Sequence, residues 1–137
     1  MTAGFTCDTS VVVAALHAWH PNHAVARPRL PQVDWLAAQV VAESVSVLTR
    51  LPHGRAVPVA DAIRYVRAIA HGNARHLPAD RYLVTFGAVG SAGLGGGAVY
   101  DALVGATARE HGATLLSLDR KAQRTYAAVG AAFELLG

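Results

Sequence analysis

Four of the nine carboxylates in this 137-residue chain stand where an apolar pattern starts, stops or is interrupted. Asp8 closes GFTCD (4–8), Glu43 sits between Ala42 and Ser44 in an apolar stretch, Asp101 follows the glycines of GGGAVYD, and Asp119 closes ATLLSLD (113–119). Carboxylates gathered into one place cannot all stay ionised unless something positive neutralises them. Carboxylate oxygens are hard ligands, and a hard divalent cation such as Mg²⁺ or Mn²⁺ is the natural partner. No histidine or cysteine is spaced with the four acids in a way that would favour zinc. An ion held this way keeps several waters and suits phosphate chemistry: it polarises a phosphoryl oxygen, lowers the pKa of a bound water and holds a leaving oxygen.

Each acid taken alone also has a local reading. Asp8, followed by Thr9 and Ser10, reads as a helix cap, and so does Asp119 before RKAQR. Glu43 alone reads as a half-exposed helix residue, and Asp101 as a complement to a helix dipole worth ~0.5 kcal/mol. Only the joint pattern argues for a metal site. Asp61, Asp80 and Glu110 fit solvated helix faces, Asp34 lies in an irregular region, and Glu134 falls in the last strand; none is a candidate ligand.

The elements that must position these acids follow from periodicity and punctuation. GFTCD is a short buried strand, and VVVAALHAW behind Asp8-Thr9-Ser10 is a first helix. Pro21, Pro28 and Pro31 break the next region into turns, with a second strand expected in QVDWL (32–36). Apolar residues at 40, 41, 45, 47, 48 and 51 form a helical stripe, stopped by Pro52 and Gly54. Pro58 opens another helix with Ile63, Val66, Ile69 and Ala70 on one face, and LPADRYLVTFGAVG (77–90) starts as helix N-termini do, although YLVTF also admits a strand. The glycines 93–97 feed a helix that carries Asp101 and stops at His111-Gly112. ATLLSLD is a strand, RKAQRTYAAVG a basic-faced helix and AAFELL a last strand. Strands separated by helices pair in parallel, so the class is α/β with helices on both faces. In such sheets ligands bind beyond the carboxyl ends of the strands, where Asp8 and Asp119 stand.

The length argues for one domain, residues 1–137, with no repeat or linker. Hydrophobic residues make up 53% and charged residues only 15%, which suggests that part of the surface is covered by a partner such as a second copy of the chain. The net charge of +3 permits a nucleic-acid partner without demanding one, and of the basic residues only Lys121 is a lysine. A single cysteine, Cys7, excludes an internal disulfide and fits a reducing cytoplasm. Neither a signal peptide nor a membrane span is expected.

The order strand-Asp-Thr-Ser, a helical Glu, then YDALVGATA and LLSLD resembles the PIN-domain nucleases, and more narrowly the VapC-type toxins of bacterial toxin–antitoxin pairs. The resemblance spans essentially the whole chain and is strongest over 93–121. It implies a PIN-like parallel sheet of four to five strands between helices, an α/β/α sandwich. It also implies an acid quartet at Asp8, Glu43, Asp101 and Asp119, with Ser117 in the place of a hydroxyl that is often threonine. The implied activity is Mg²⁺- or Mn²⁺-dependent endoribonuclease cleavage, in which a metal-held water attacks an RNA phosphodiester. Implied partners are an RNA substrate, a cognate antitoxin and a second copy of the chain, or a higher assembly of toxin and antitoxin, in the cytoplasm. On this reading Thr9 and Ser117 hydrogen-bond the ligands, and Arg120, Lys121 and Arg124 contact flanking phosphates. Local capping and a solvated helix face are the competing accounts of these two groups.

Four rival readings stand beside it. GLGGGA (93–98), with Asp119 some twenty residues on, fits a dinucleotide-binding turn if YLVTF is a strand. His17, His20 and His23 are spaced by three as zinc ligands could be, but Pro21 breaks the helix that would align them. A DNA-cutting relative and a non-catalytic metal- and partner-binding module share every residue named above.

Overall fold

The computed structural model describes residues 4–137. Strand β1 (Phe5–Cys7) ends at Asp8, whose extended backbone (φ −92°, ψ 178°) turns the chain into helix α1 (Thr9–Leu16). Asp8 accepts the Ser10 amide, satisfying one of the donors every helix N-terminus leaves unpaired. Three consecutive valines lower the helix propensity of α1, yet Val11 and Val12 are wholly buried and packing decides the outcome. The helix stops at Leu16, three residues short of the expected end at Trp19.

After helix α2 (His23–Ala26), the proline-rich segment Arg27–Gln32 winds as a 3₁₀ turn. Within 32–36 only Val33 bridges to β1 and Leu36 is in a strand; strand β2 is Leu36–Ala37. Helices α3 (Ala38–Thr49) and α4 (Val59–Ala70) follow as the apolar stripes predict. A left-handed turn at His71 and Gly72 then leads into strand β3 (Ala74–Arg75), which the sequence pattern did not announce.

YLVTF is helical. It forms the start of α5 (Tyr82–Ser91), so GLGGGA follows a helix and lacks the strand that a dinucleotide-binding turn requires. Helix α6 (Ala98–Glu110) is buried without a break from Ala102 to Ala108, which explains why its sequence carries so weak an amphipathic signature. Strand β4 (Thr114–Ser117), a 3₁₀ turn at Arg120–Ala122, helix α7 (Gln123–Ala128) and strand β5 (Phe133–Leu135) complete the chain.

All the strands pair in parallel, in a three-stranded set β1-β4-β5 and a two-stranded set β2-β3. The Phe5–Val33 bridge joins the two sets, reinforced where the Asp34 amide donates to the Phe5 carbonyl (3.0 Å) and Thr6 Oγ1 to the Trp35 carbonyl (2.7 Å). The resulting order is β3-β2-β1-β4-β5, with α1 and α6 both packed on β4. Trp35, Leu36, Leu48, Leu115, Leu116 and Tyr126 are the largest side chains of the core. Because Cys7 pairs with Leu116, the residues that leave β1 and β4 emerge side by side at the carboxyl edge of the sheet.

Candidate functional site

Asp8 is the structural centre of that edge. It is 5% exposed, and its carboxylate is held by four donors. Oδ1 accepts the Ser10 amide (3.1 Å) and the Ser10 hydroxyl; Oδ2 accepts the Ser117 hydroxyl and the Tyr126 hydroxyl (2.7 Å). The serines do double duty. Ser10 Oγ also accepts the Leu118 amide (2.9 Å) and Ser117 Oγ the Asp119 amide (3.0 Å), which stitches the start of α1 to the exit of β4. Burial pushes the Asp8 carboxyl above the ordinary aspartate range, and the hydrogen bonds from the Ser10, Ser117 and Tyr126 hydroxyls pull it partly back.

Asp119 caps the 3₁₀ turn after β4 by accepting the Lys121 amide (3.0 Å). Asp101 lies in the first turn of α6, and Glu43 is half-buried in the middle of α3. These acids share one electrostatic field. Asp101 is pushed up to about 6, first by burial and then by the negative charges of Asp119, Glu43 and Asp8. Glu43 is raised by burial, pulled back by a hydrogen bond from Gln39 and raised further by Asp8. Tyr126 is also raised, by burial first and then by Asp8, Asp101 and Asp119. Asp101 therefore lies within the negative field of the other three predicted acids, and Glu43 within that of Asp8.

Among the described residues, no group of three or more Asp, Glu, His or Cys side chains is arranged to hold a metal ion as it stands. That statement covers the acids and also His17, His20 and His23. The histidines have other contacts: His17 stacks on Trp19 (4.9 Å), His20 accepts the Asn22 amide (3.0 Å), and His23 is bonded to the Ala14 carbonyl (3.0 Å). For the acids, the donor set is all carboxylate oxygen, and in type it fits a hard divalent cation. The Asp8 oxygens, however, are already fully engaged.

Of the two hydroxyls expected around the site, Ser117 contacts both Asp8 and Asp119, whereas the buried Thr9 hydroxyl has no hydrogen-bond partner. Ser10, one residue on, takes the position expected of Thr9, because N-cap geometry aims the carboxylate at the second helical residue. Ser10 and Tyr126 were missed in the sequence. Ser10 could have been found from capping rules, but nothing local marks Tyr126, which lies 118 residues from Asp8. Arg120, Lys121 and Arg124 are exposed beside Asp119 and take part in no ion pair among the described residues.

A family model described as the PIN domain matches residues 5–128, from the first residue of β1 to the last of α7. The chain belongs to the PIN-domain family. This PIN domain is 37% identical over 129 residues to Ribonuclease VapC40 of Mycobacterium tuberculosis, covering 94% of this chain and 96% of that protein. It is 35% identical over 137 residues to Ribonuclease VapC27 of the same organism, covering 90% of each. Among solved structures it matches FitAcB from Neisseria gonorrhoeae with a TM-score of 0.66 at 21% identity, over 94% of this chain and 95% of that one. It also matches PAE2754 from Pyrobaculum aerophilum with a TM-score of 0.57 at 20% identity, over 96% and 90%. These structural likenesses establish the PIN fold of parallel strands between helices.

Proposed function

We propose that this PIN domain is a divalent-metal-dependent endoribonuclease, the toxin of a toxin–antitoxin pair, with residues 1–137 acting as one domain. The observation that carries the reading is the placement of Asp101, at the start of α6, within the negative field of Asp119, Glu43 and Asp8. The ribonuclease names of the VapC relatives support it.

Asp8, Glu43, Asp101 and Asp119 would hold Mg²⁺ or Mn²⁺, which when bound supplies Lewis-acid stabilisation of the phosphoryl charge and a more acidic water. The chain's own groups do the rest. Its carboxylates would orient the attacking water and take up its proton. Ser117 ties the Asp8 carboxylate to the backbone amide of Asp119. Arg120, Lys121 and Arg124 grip phosphates flanking the cleaved bond, and their exposure next to Asp119 supports that role.

An antitoxin and a second copy of the chain are the proposed protein partners. Support for a covered surface comes from Leu83 (81% exposed) and Val84 (64%) on α5 and Tyr100 (56%) on α6, large apolar groups left in water.

A second reading, a non-catalytic metal- and partner-binding module, is favoured by the absence of a ready-made three-ligand group among the described residues. One assay decides between them. Purified wild type should cleave RNA with Mg²⁺ or Mn²⁺, stop with chelator and leave DNA intact, and Asp101→Asn should abolish cleavage. Activity that survives Asp101→Asn would sink the proposed site, and inactive wild type would favour the module.

A further inference from the structure

We propose that Tyr126 is a positioning residue that competes with the divalent cation for Asp8 Oδ2, so that it restrains metal loading; this rests on the metal-dependent reading above. A carboxylate offers about four lone-pair directions. At Asp8 four donors occupy them: the Ser10 amide and hydroxyl on Oδ1, and the Ser117 and Tyr126 hydroxyls on Oδ2. A cation that takes Asp8 as a ligand must displace one.

The four are not equally replaceable. The Ser10 amide is the helix cap itself. Each serine oxygen is tied a second time, Ser10 Oγ by the Leu118 amide and Ser117 Oγ by the Asp119 amide. Among the described residues the Tyr126 hydroxyl has one hydrogen-bond partner, Asp8. Its bond is therefore the one whose loss disturbs nothing else.

The phenol also cannot swing aside to follow the carboxylate. Tyr126 is 1% exposed, and its ring packs against Phe133 with centroids 5.8 Å apart. A Cβ built on Gly105 would lie 3.1 Å from Tyr126 Cδ1, so α6 also runs against the ring. A fixed hydroxyl donating to Oδ2 stabilises the metal-free carboxylate and gives nothing back once a cation has taken that lone pair. By linkage, the hydroxyl stabilises the metal-free protein and weakens cation binding by the same factor.

The experiment measures Mn²⁺ binding to the full chain by electron paramagnetic resonance, comparing wild type, Tyr126→Phe and Tyr65→Phe. Tyr65 is the control, because its hydroxyl donates to a backbone carbonyl, that of Val12 (2.7 Å), and not to an acid. Hydrogen bonds to charged groups carry enough energy that Tyr126→Phe should bind Mn²⁺ about tenfold more tightly. It should also melt at a lower temperature in chelator and show a larger upward shift on adding Mn²⁺. Tyr65→Phe should lose stability with unchanged Mn²⁺ affinity. A second measurement reads the wild type itself: with fluorotyrosine incorporated and resonances assigned by their loss in the two Phe variants, the ¹⁹F signal of Tyr126 should move and saturate as Mg²⁺ is added while that of Tyr65 stays.

Equal or weaker binding by Tyr126→Phe, an equal gain in Tyr65→Phe, or a static Tyr126 resonance in Mg²⁺-bound wild type would overturn the inference alone. Absence of Mn²⁺ binding in every protein would overturn the metal-dependent reading and this inference with it.

Discussion

Ser117 donates its hydroxyl hydrogen to Asp8 Oδ2 across 109 residues of chain, and the same oxygen accepts the amide of Asp119 two positions on. One buried hydroxyl thereby ties the carboxylate of one acid of the candidate site to the backbone of another. It can do so because Cys7 and Leu116 are in register, so that both exits from the sheet leave at the same level.

Ser117→Ala should remove both bonds and leave a buried carboxylate one donor short. The expected loss is about 1–3 kcal/mol of stability in chelator, read from urea denaturation. RNA cleavage at a given metal concentration should fall as well. Unchanged stability together with unchanged cleavage would show that the serine bridge is incidental.

Asp101 makes the metal-free protein sensitive to pH. Its folded pKa, raised to about 6, lies above the unfolded aspartate value, so between pH 4 and 6 the folded state binds more protons than the unfolded one. Stability should therefore fall as pH rises through this window, insofar as Asp101 controls it. Thermal melts in chelator at pH 5 and pH 7.5 should show the difference, and Asp101→Asn should flatten it. A wild-type slope retained in the variant would place the crowding elsewhere.

Gly105 in the middle of α6 should resist alanine. Elsewhere in a helix interior that exchange gains about 0.5–1 kcal/mol. Here the new Cβ would lie 2.8 Å from Val129 Cγ2 and 3.1 Å from Tyr126 Cδ1. Overpacking of this kind costs about 1–3 kcal/mol, so the contact outweighs the propensity. Denaturation midpoints of Gly105→Ala against wild type check the sign.

Arg120, Lys121 and Arg124, if they hold RNA phosphates, should set the salt dependence of binding. For single-stranded RNA each lost phosphate contact lowers the slope of log affinity against log salt by about 0.7. The triple alanine variant should bind more weakly and with a shallower slope in fluorescence anisotropy, while its melting temperature stays near that of wild type because all three are exposed. An unaltered slope would return them to the role of a solvated helix face.

Much of the fold was legible because the longer elements carry local signals. α3 and α4 have apolar stripes bounded by prolines, α6 opens after glycines and closes before Gly112, and Asp8 and Asp119 sit in cap positions that dipeptide chemistry recognises. The choice of Asp8, Glu43, Asp101 and Asp119 from nine acids likewise came from where each interrupts an apolar pattern. β3 escaped because two residues cannot display a period, and YLVTF was ambiguous because an apolar run of five suits either a strand or a helix.

The sequence by itself determined the α/β class, the order of the elements and which acids stand at their ends, since propensity, capping and periodicity act between near neighbours. Only the tertiary structure decided that β2-β3 joins β1 through Phe5 and Val33, and that Ser10 and not Thr9 bonds Asp8. It alone decided that Tyr126 closes the last lone pair of that carboxylate from 118 residues away. Those contacts depend on how closely α6 and α7 approach each other and on the register of β1 against β4, and packing sets both where no local pattern is written.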